Sequence, residues 1–364
     1  MDMMRVAMTF EQCWHEVPGG TAVYALELAR ALSNLDDVEI AGVAARHARP
    51  PDDAWRPPVE VDHLALPRLA LYESWHYLRR PSVQRATGSV DVVHATSLAV
   101  PPRSAPLVVT VHDLAWRSDP KHSTRRGVSF HERGLAIARV EADLVLCPSS
   151  ATLHDCVGAG IDENRLRITP LGVRAHSQTE AAVAEVRHRH GLDRPYVLWT
   201  GTVEPRKNLA GLLAAWRQVE SEADLVLAGP VGWNQDLDRL VGADRARVKA
   251  LGFIPRSDLG PLYAGATLFC WPSLKEGFGL PVLEAMAQGI PVVTSRGTST
   301  EEVAGEAGML VDPRDPAAIA KAISRLLADE TLARSLGEAG RERARTFSWA
   351  RTAERTLAAY KEVA

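Results

Sequence analysis

Short apolar runs rich in β-branched residues alternate along this chain with longer stretches of helical periodicity. "MRVAMTF" (4–10), "VEIAGVAA" (38–45), "VDVVHA" (90–95), "PLVVTVHD" (106–113) and "ADLVLCPS" (142–149) have the length and composition of buried strands. Helical patterns lie between them, as over 20–33 and 123–141. Strand, helix, strand in repetition predicts a parallel sheet with helices on both faces. The pattern then restarts. After a polar stretch at 175–194, read as a linker, come strands at 195–201, 223–230, 248–254, 267–273 and 290–295, with a helix over 207–219 and a mostly helical tail over 316–364. Two doubly wound α/β halves in series predict a cleft between them, with ligands beyond the carboxyl ends of the strands.

Composition narrows this picture without changing it. A chain of 364 residues is long for one core, so two domains of roughly 150–200 residues are expected. A net charge of −3 gives no reason to expect nucleic acid as a partner. The four cysteines are scattered without a C-x-x-C pair, which fits buried thiols in a reducing compartment. No run approaches the ~20 apolar residues that span a bilayer, and the N-terminus lacks a signal-peptide pattern, so a cytoplasmic protein is expected.

Candidate chemistry concentrates in "PSLKEGFGLPVLEAMAQGIPVVTS" (272–295). Pro281 suits a first helical turn and Gly289 a helix end. Glu276 then lies on the loop after a strand, and Glu284 in the first turns of the helix. Gly277 and Gly279 let backbone approach a ligand, and the helix N-terminus favours an anion. Two carboxylates flanking an anion site suit a ligand with a diol at each end and phosphate between, a sugar nucleotide. A glycosidase-type pair ~5 Å apart is disfavoured by the intervening chain. Ordinary turn and helix-start chemistry is the alternative.

Three further stretches add polar groups. "TGTVEPRKNLAGLLAAW" (200–216) puts Gly201, Arg206 and Lys207 at a strand's carboxyl end, with Lys207 a phosphate counter-charge, Arg206 a bidentate candidate and Asn208 a possible N-cap. Its spacing is not that of a P-loop. "VPGGTAV" (17–23) places Gly19 and Gly20 where a Rossmann-like turn approaches phosphate, but the full G-x-G-x-x-G is absent, so no nicotinamide cofactor is expected. "VTVHDLAW" (109–116) places His112 where an imidazole can donate to a sugar hydroxyl or shuttle a proton; His94 in a similar place reads as structural. No cluster has metal-ligand spacing. The basic segment 121–141, with Lys121, Arg125, Arg126, Arg133 and Arg139, suits either a helix covering the first sheet or contact with anionic lipid.

Taken together, "EGFGLPVLEAMAQGIPVVTS", "GTVEPRKNL", "LGFIP" (251–255), "AGEAGMLVDPRD" (304–315), "CPSS" (147–150) and "PLGV" (170–173) resemble glycosyltransferase family 4 over nearly the whole chain. The resemblance implies a GT-B fold, with two facing Rossmann-like domains, an acceptor domain at 1–178 and a nucleotide-sugar donor domain at 190–345, and a C-terminal helix at about 346–364 returning to the first. It implies retaining transfer of a hexosyl group from a nucleoside-diphosphate sugar to a hydroxyl acceptor (saccharide, lipid-linked saccharide or small molecule), without metal or other cofactor. His112 and Glu276 would act at the donor sugar, with the amides of Gly277, Phe278 and Gly279 along the sugar and diphosphate. Lys207 and Gly20 would close on the diphosphate, Glu284 would hold the ribose, and Phe253 and Ile254 would flank the base. One departure is Thr202, where the family often has an arginine; either Arg206 supplies that charge or the diphosphate is held differently. The "GT-x-EPRKN" variant resembles a branch of mannosyl transfer in bacterial polysaccharide assembly, which favours GDP-mannose. An epimerase or phosphorylase on the same fold, or a silent nucleotide-sugar binder, are the competing readings.

Overall fold

The computed structural model describes residues 3–119, 124–174, 177–232 and 236–364. Lys121 lies outside the described residues. Thirteen strands are assigned among them, all in parallel pairs. In the first half these are β1 (Met4–Thr9), β2 (Val38–Ala44), β3 (Val61–His63), β4 (Val92–Ala95), β5 (Leu107–Thr110), β6 (Leu144–Cys147) and β7 (Leu166–Ile168). The second half holds β8 (Tyr196–Thr200), β9 (Asp224–Ala228), β10 (Val248–Gly252), β11 (Leu268–Trp271), β12 (Val292–Ser295) and β13 (Met309–Val311).

The sheet orders are β3-β2-β1-β4-β5-β6-β7 and β10-β9-β8-β11-β12-β13. Each reverses once, between β1 and β4 and between β8 and β11. At such a switch point the loops after two adjacent strands part in opposite directions and leave a crevice. The apolar runs become strands because both faces are covered by helices: β4, β5, β6, β8, β9, β11 and β12 are buried at every residue.

The chain divides into two compact units, one of Met1–Leu114, Arg125–Gly172 and Trp349–Ala364, the other of Ala115–Thr124 and Val173–Ser348. The helix Trp349–Val363 belongs to the first. Tyr360 hydrogen-bonds His94 at 2.6 Å, Lys361 meets Asp37 at 2.6 Å, and Thr352 donates to the Pro170 carbonyl at 2.7 Å. His94 is fully buried and also contacts Thr110 Oγ1 at 2.8 Å, a structural histidine.

One detail differs from the sequence reading. The stretch 175–194 is not a bare linker, because Glu180–Arg189 is helical, capped by Thr179, and anchored to the second unit by Arg189 on Asp258 at 2.7 Å. The basic helix Arg125–Glu141 buries Gly134, Leu135, Ile137 and Ala138. A Cβ on Gly134 would stand 2.1 Å from the Leu98 carbonyl oxygen, so this face is packed inside the first unit, in line with a helix that covers its sheet. No helix among the described residues is long and apolar enough to cross a membrane.

Candidate functional site

The loops after β8 and β11 leave adjacent strands at the second switch point, and they hold most of the expected residues. After β8, Gly201 has φ +136°, and a Cβ there would stand 2.8 Å from Lys207 Nζ. Lys207 therefore lies across bare backbone that only glycine supplies. Pro205–Lys207 forms a 3-10 turn, which Asn208 leaves in a left-handed conformation at φ +54°. Asn208 stands at the head of the helix Leu209–Trp216, yet its side chain does not cap it. Its amide instead donates to the carbonyls of Pro272 (3.0 Å) and Pro313 (2.6 Å), tying the β8 loop to its neighbours.

After β11 the chain runs through Glu276 to Gly279, whose φ of +111° turns it into the helix Leu280–Ala287. Thr300 packs where a Gly279 side chain would be, 2.8 Å from an added Cβ. Glu276 is only 7% exposed. Its carboxylate accepts from Arg206 Nη1 at 2.5 Å and from Ser273 Oγ at 2.7 Å, and its backbone carbonyl accepts from Ser299 Oγ at 2.8 Å. Arg206 Nη2 lies 2.8 Å from Glu204 Oε1, and Lys207 Nζ lies 3.9 Å from the same oxygen. Lys207 Nζ also stands 5.1 Å from the Trp271 ring centre, a cation over an indole face.

Arg206, expected as a bidentate phosphate ligand, thus binds two carboxylates of its own chain. That arrangement fixes the Glu276 side chain and neutralises buried charge. Glu284 is half-buried and accepts from Tyr263 Oη at 3.0 Å, with Tyr263 Oη also 2.7 Å from Thr200 Oγ1. Burial pushes the Glu284 carboxyl above its usual range, while the Tyr263 hydrogen bond and the charges of Arg256 and Lys207 pull it back. Phe253 is 60% exposed just after β10, Ile254 is buried, and the Phe278 ring packs edge-on against Phe347 at 5.8 Å.

Gly20 and His112 belong to the first unit. Gly20 is an exposed residue at the start of the helix Gly19–Leu32. His112 Nε2 lies 2.9 Å from the Thr96 carbonyl, and its ring meets Tyr24 edge-on at 4.9 Å. A carbonyl only accepts, so the proton sits on Nε2 and Nδ1 carries the lone pair. Burial lowers the His112 pKa, against opposing pulls from the Thr96 bond and Asp113. The sequence suggested a donor to a sugar hydroxyl or a proton shuttle; with Nε2–H committed to the Thr96 carbonyl, Nδ1 is left as an acceptor.

Sequence reasoning passed over Ser273, Glu204 and Tyr263. Glu204 stood inside the quoted "EPRK", where its charge was a usable signal. Ser273 and Tyr263 carried none, because their roles arise from contacts across the fold. Among the described residues no group of three or more His, Cys, Asp or Glu is placed to hold a metal ion.

Residues 18–177 match the family described as Glycosyltransferase Family 4, and 194–329 the family described as Glycosyl transferases group 1. O-antigen chain mannosyltransferase B of Escherichia coli is 34% identical, the match covering 74% of this chain and 74% of that protein. The chain belongs to glycosyltransferase family 4. Another relative, D-inositol 3-phosphate glycosyltransferase of Salinispora arenicola, is 33% identical over 94% of this chain and 87% of its own length. Among solved structures, Anabaena HepE in complex with UDP and glucose matches with a TM-score of 0.77 at 18% identity, covering 98% of this chain and 99% of that one. Sucrose-phosphate synthase of Thermosynechococcus elongatus matches with 0.77 at 24%, covering 99% and 98%. At these identities the likeness is one of fold, and this family 4 glycosyltransferase has the GT-B fold with sheets of seven and six strands.

Proposed function

We propose that this glycosyltransferase moves a hexosyl group from a nucleoside-diphosphate sugar to an acceptor hydroxyl with retention at the anomeric carbon, without a metal, in the assembly of a polysaccharide or a related glycoconjugate. The observation that carries this is the Glu276 carboxylate, fixed by Arg206 and Ser273 in the loop before the helix Leu280–Ala287, with Lys207 laid across Gly201 in the loop of the adjacent strand. A carboxylate held by Arg206 and Ser273 is already aimed and needs no reorganisation when sugar hydroxyls arrive. Lys207 and the helix N-terminus meet the diphosphate, and Glu284 accepts from the ribose diol. Arg206 acts on Glu276 rather than on phosphate, which accounts for its presence beside Thr202 without a second phosphate cation. In the transfer, the bond from the anomeric carbon to the diphosphate oxygen breaks, the bond to the acceptor oxygen forms on the same face, and the acceptor proton leaves with the diphosphate. His112 Nδ1 accepts from a donor-sugar hydroxyl.

GDP-mannose is the favoured donor. The names of two relatives, O-antigen chain mannosyltransferase B and the MMP alpha-(1->4)-mannosyltransferase of Mycolicibacterium hassiacum, support that preference. A thermal-shift screen of GDP, UDP, dTDP and ADP identifies the base through ligand-linked stabilisation. GDP-mannose incubated with the protein is expected to release GDP slowly, and Glu276→Ala to abolish that release while GDP still binds. Lys207→Ala is expected to weaken GDP binding by roughly tenfold or more, the loss of one charge-assisted contact. If both variants bind and turn over like the parent, the site is misassigned.

A further inference from the structure

A second concave site lies entirely within the first unit, on the carboxyl side of its sheet near the β3 edge. It is a pocket of about 460 Å³ lined by Trp14, His47, Arg49, Arg56 and His63, with proline and valine completing the wall. That volume falls within the ~300–1,000 Å³ typical of small-ligand sites. Three segments build it: the 3-10 turn Glu11–Trp14 after β1, the stretch after β2, and His63 at the end of β3.

Its wall is organised around a buried carboxylate. Glu11 is 3% exposed and accepts from the Ala45 amide at 2.8 Å, with His47 Nε2 2.9 Å from its other oxygen. His47 in turn stacks flat on Trp14, with ring centres 4.8 Å apart and planes 9° apart, and His63 meets Trp14 edge-on at 5.5 Å. The Trp14 indole donates to the Arg49 carbonyl at 3.0 Å, which pins the β2 loop to the turn. His63 Nδ1 lies 2.6 Å from the Ala45 carbonyl, so its proton is on Nδ1 and Nε2 is an acceptor.

The lining therefore combines proline surface and an indole stacked by His47 on one face, an imidazole acceptor, and the guanidiniums of Arg49 and of Arg56, the latter held by Asp53 at 2.8 Å. A sugar ring matches all three, having C–H faces and hydroxyls that both donate and accept. By sheet order, β2 stands three strand spacings from β5, the strand before His112, which is roughly 14 Å at ~4.8 Å per spacing. That exceeds one sugar ring. We infer that this pocket is a subsite for a distal sugar of an extended acceptor glycan, one or more units removed from the hydroxyl that is glycosylated. The inference rests on the proposed transferase function for its biological sense, but its test reads binding alone.

The parent protein, Trp14→Ala, Trp14→Phe and His63→Ala are titrated with linear manno-, gluco- and galacto-oligosaccharides of one to four units, followed by saturation-transfer NMR. The parent is expected to bind a three- or four-unit member, Trp14→Ala to weaken it by roughly tenfold or more, and His63→Ala to weaken it several-fold. Trp14→Phe keeps an aromatic surface and is expected to retain most of the binding, which separates ligand contact from a folding defect. GDP release from GDP-mannose is expected to be unchanged in all three variants. Parental affinity in Trp14→Ala, no binding by any oligosaccharide, or displacement of the bound glycan by nucleosides overturns the subsite. Absence of GDP release from the parent with glycan binding intact overturns the transferase reading and leaves the subsite standing.

Discussion

Arg206 shows how one side chain sets the character of a site. Its two terminal nitrogens contact Glu276 at 2.5 Å and Glu204 at 2.8 Å, so removing it takes the shared cation from two nearly buried carboxylates. Breaking such a pair costs on the order of 3–5 kcal/mol through the charge left behind. Arg206→Ala is therefore expected to lower unfolding stability by about 3 kcal/mol, measured in urea. A phosphate-binding arginine would instead lower donor affinity and leave stability unchanged. Glu284 offers a second test. Its carboxyl is pushed up by burial, so the folded protein favours the protonated form. That contribution is fully present below pH ~4.5 and is lost as pH rises through the raised value, so ionised Glu284 is a cost at neutral pH. Glu284→Gln is expected to melt higher than the parent at pH 8, lose that advantage at pH 4, and bind GDP more weakly. The motif made Glu276, Glu284 and Lys207 legible as a group. What Arg206 does was not, because its partner Glu276 lies 70 positions away and nothing local distinguishes a carboxylate from a phosphate as its target.

At the level of elements, loop lacing and the terminal helix matter most. The β8 and β11 loops are cross-tied by the Asn208 amide on Pro272 and by the Leu274 amide on the Arg206 carbonyl at 2.7 Å. The helix Trp349–Val363 is tied to the first sheet through Tyr360, His94, Thr110 and Tyr24, a continuous buried chain of contacts at 2.6, 2.8 and 2.8 Å. Tyr360→Phe leaves a buried imidazole nitrogen without this partner and is expected to cost ~1–3 kcal/mol in a denaturation experiment. The long apolar runs announced their strands in the sequence, since burial on both faces demands continuous hydrophobicity. β3, β7 and β13 escaped notice because each is three residues long, too short for any period, and is placed by its neighbour's ladder. The 180–189 helix was hidden by its polarity, as Val186 is its single buried residue.

For the molecule as a whole, the histidines that burial depresses are gathered in one unit. Burial lowers the pKa of His15 and His76 to about 4 and of His94 to about 3, and it also lowers those of His112 and His131. Among the described residues, all of these belong to the first unit. A histidine with a depressed folded pKa stabilises fully above 6.5, and that contribution fades as pH falls toward the folded value. By pH 5 each of His15, His76 and His94 costs on the order of 2 kcal/mol, and together they rival a domain's whole stability of ~5–15 kcal/mol. Glu284, in the second unit, is shifted upward by burial, the direction that favours the folded state in acid. Calorimetry is expected to give a first-unit transition that moves to lower temperature between pH 7.5 and 5 while the second-unit transition holds. A single transition shifting uniformly would contradict this.

The first unit is also discontinuous in the chain, with Trp349–Ala364 supplying the helix that covers β4 and β5 through His94 and Thr110. During synthesis from the N-terminus, every residue of the second unit emerges before that helix does. The part of the protein that is translated first is therefore completed last, and until then its buried histidine and threonine face water. Domains otherwise fold as they appear. Here a ribosome-bound chain is left with one finished half and one waiting for its final helix.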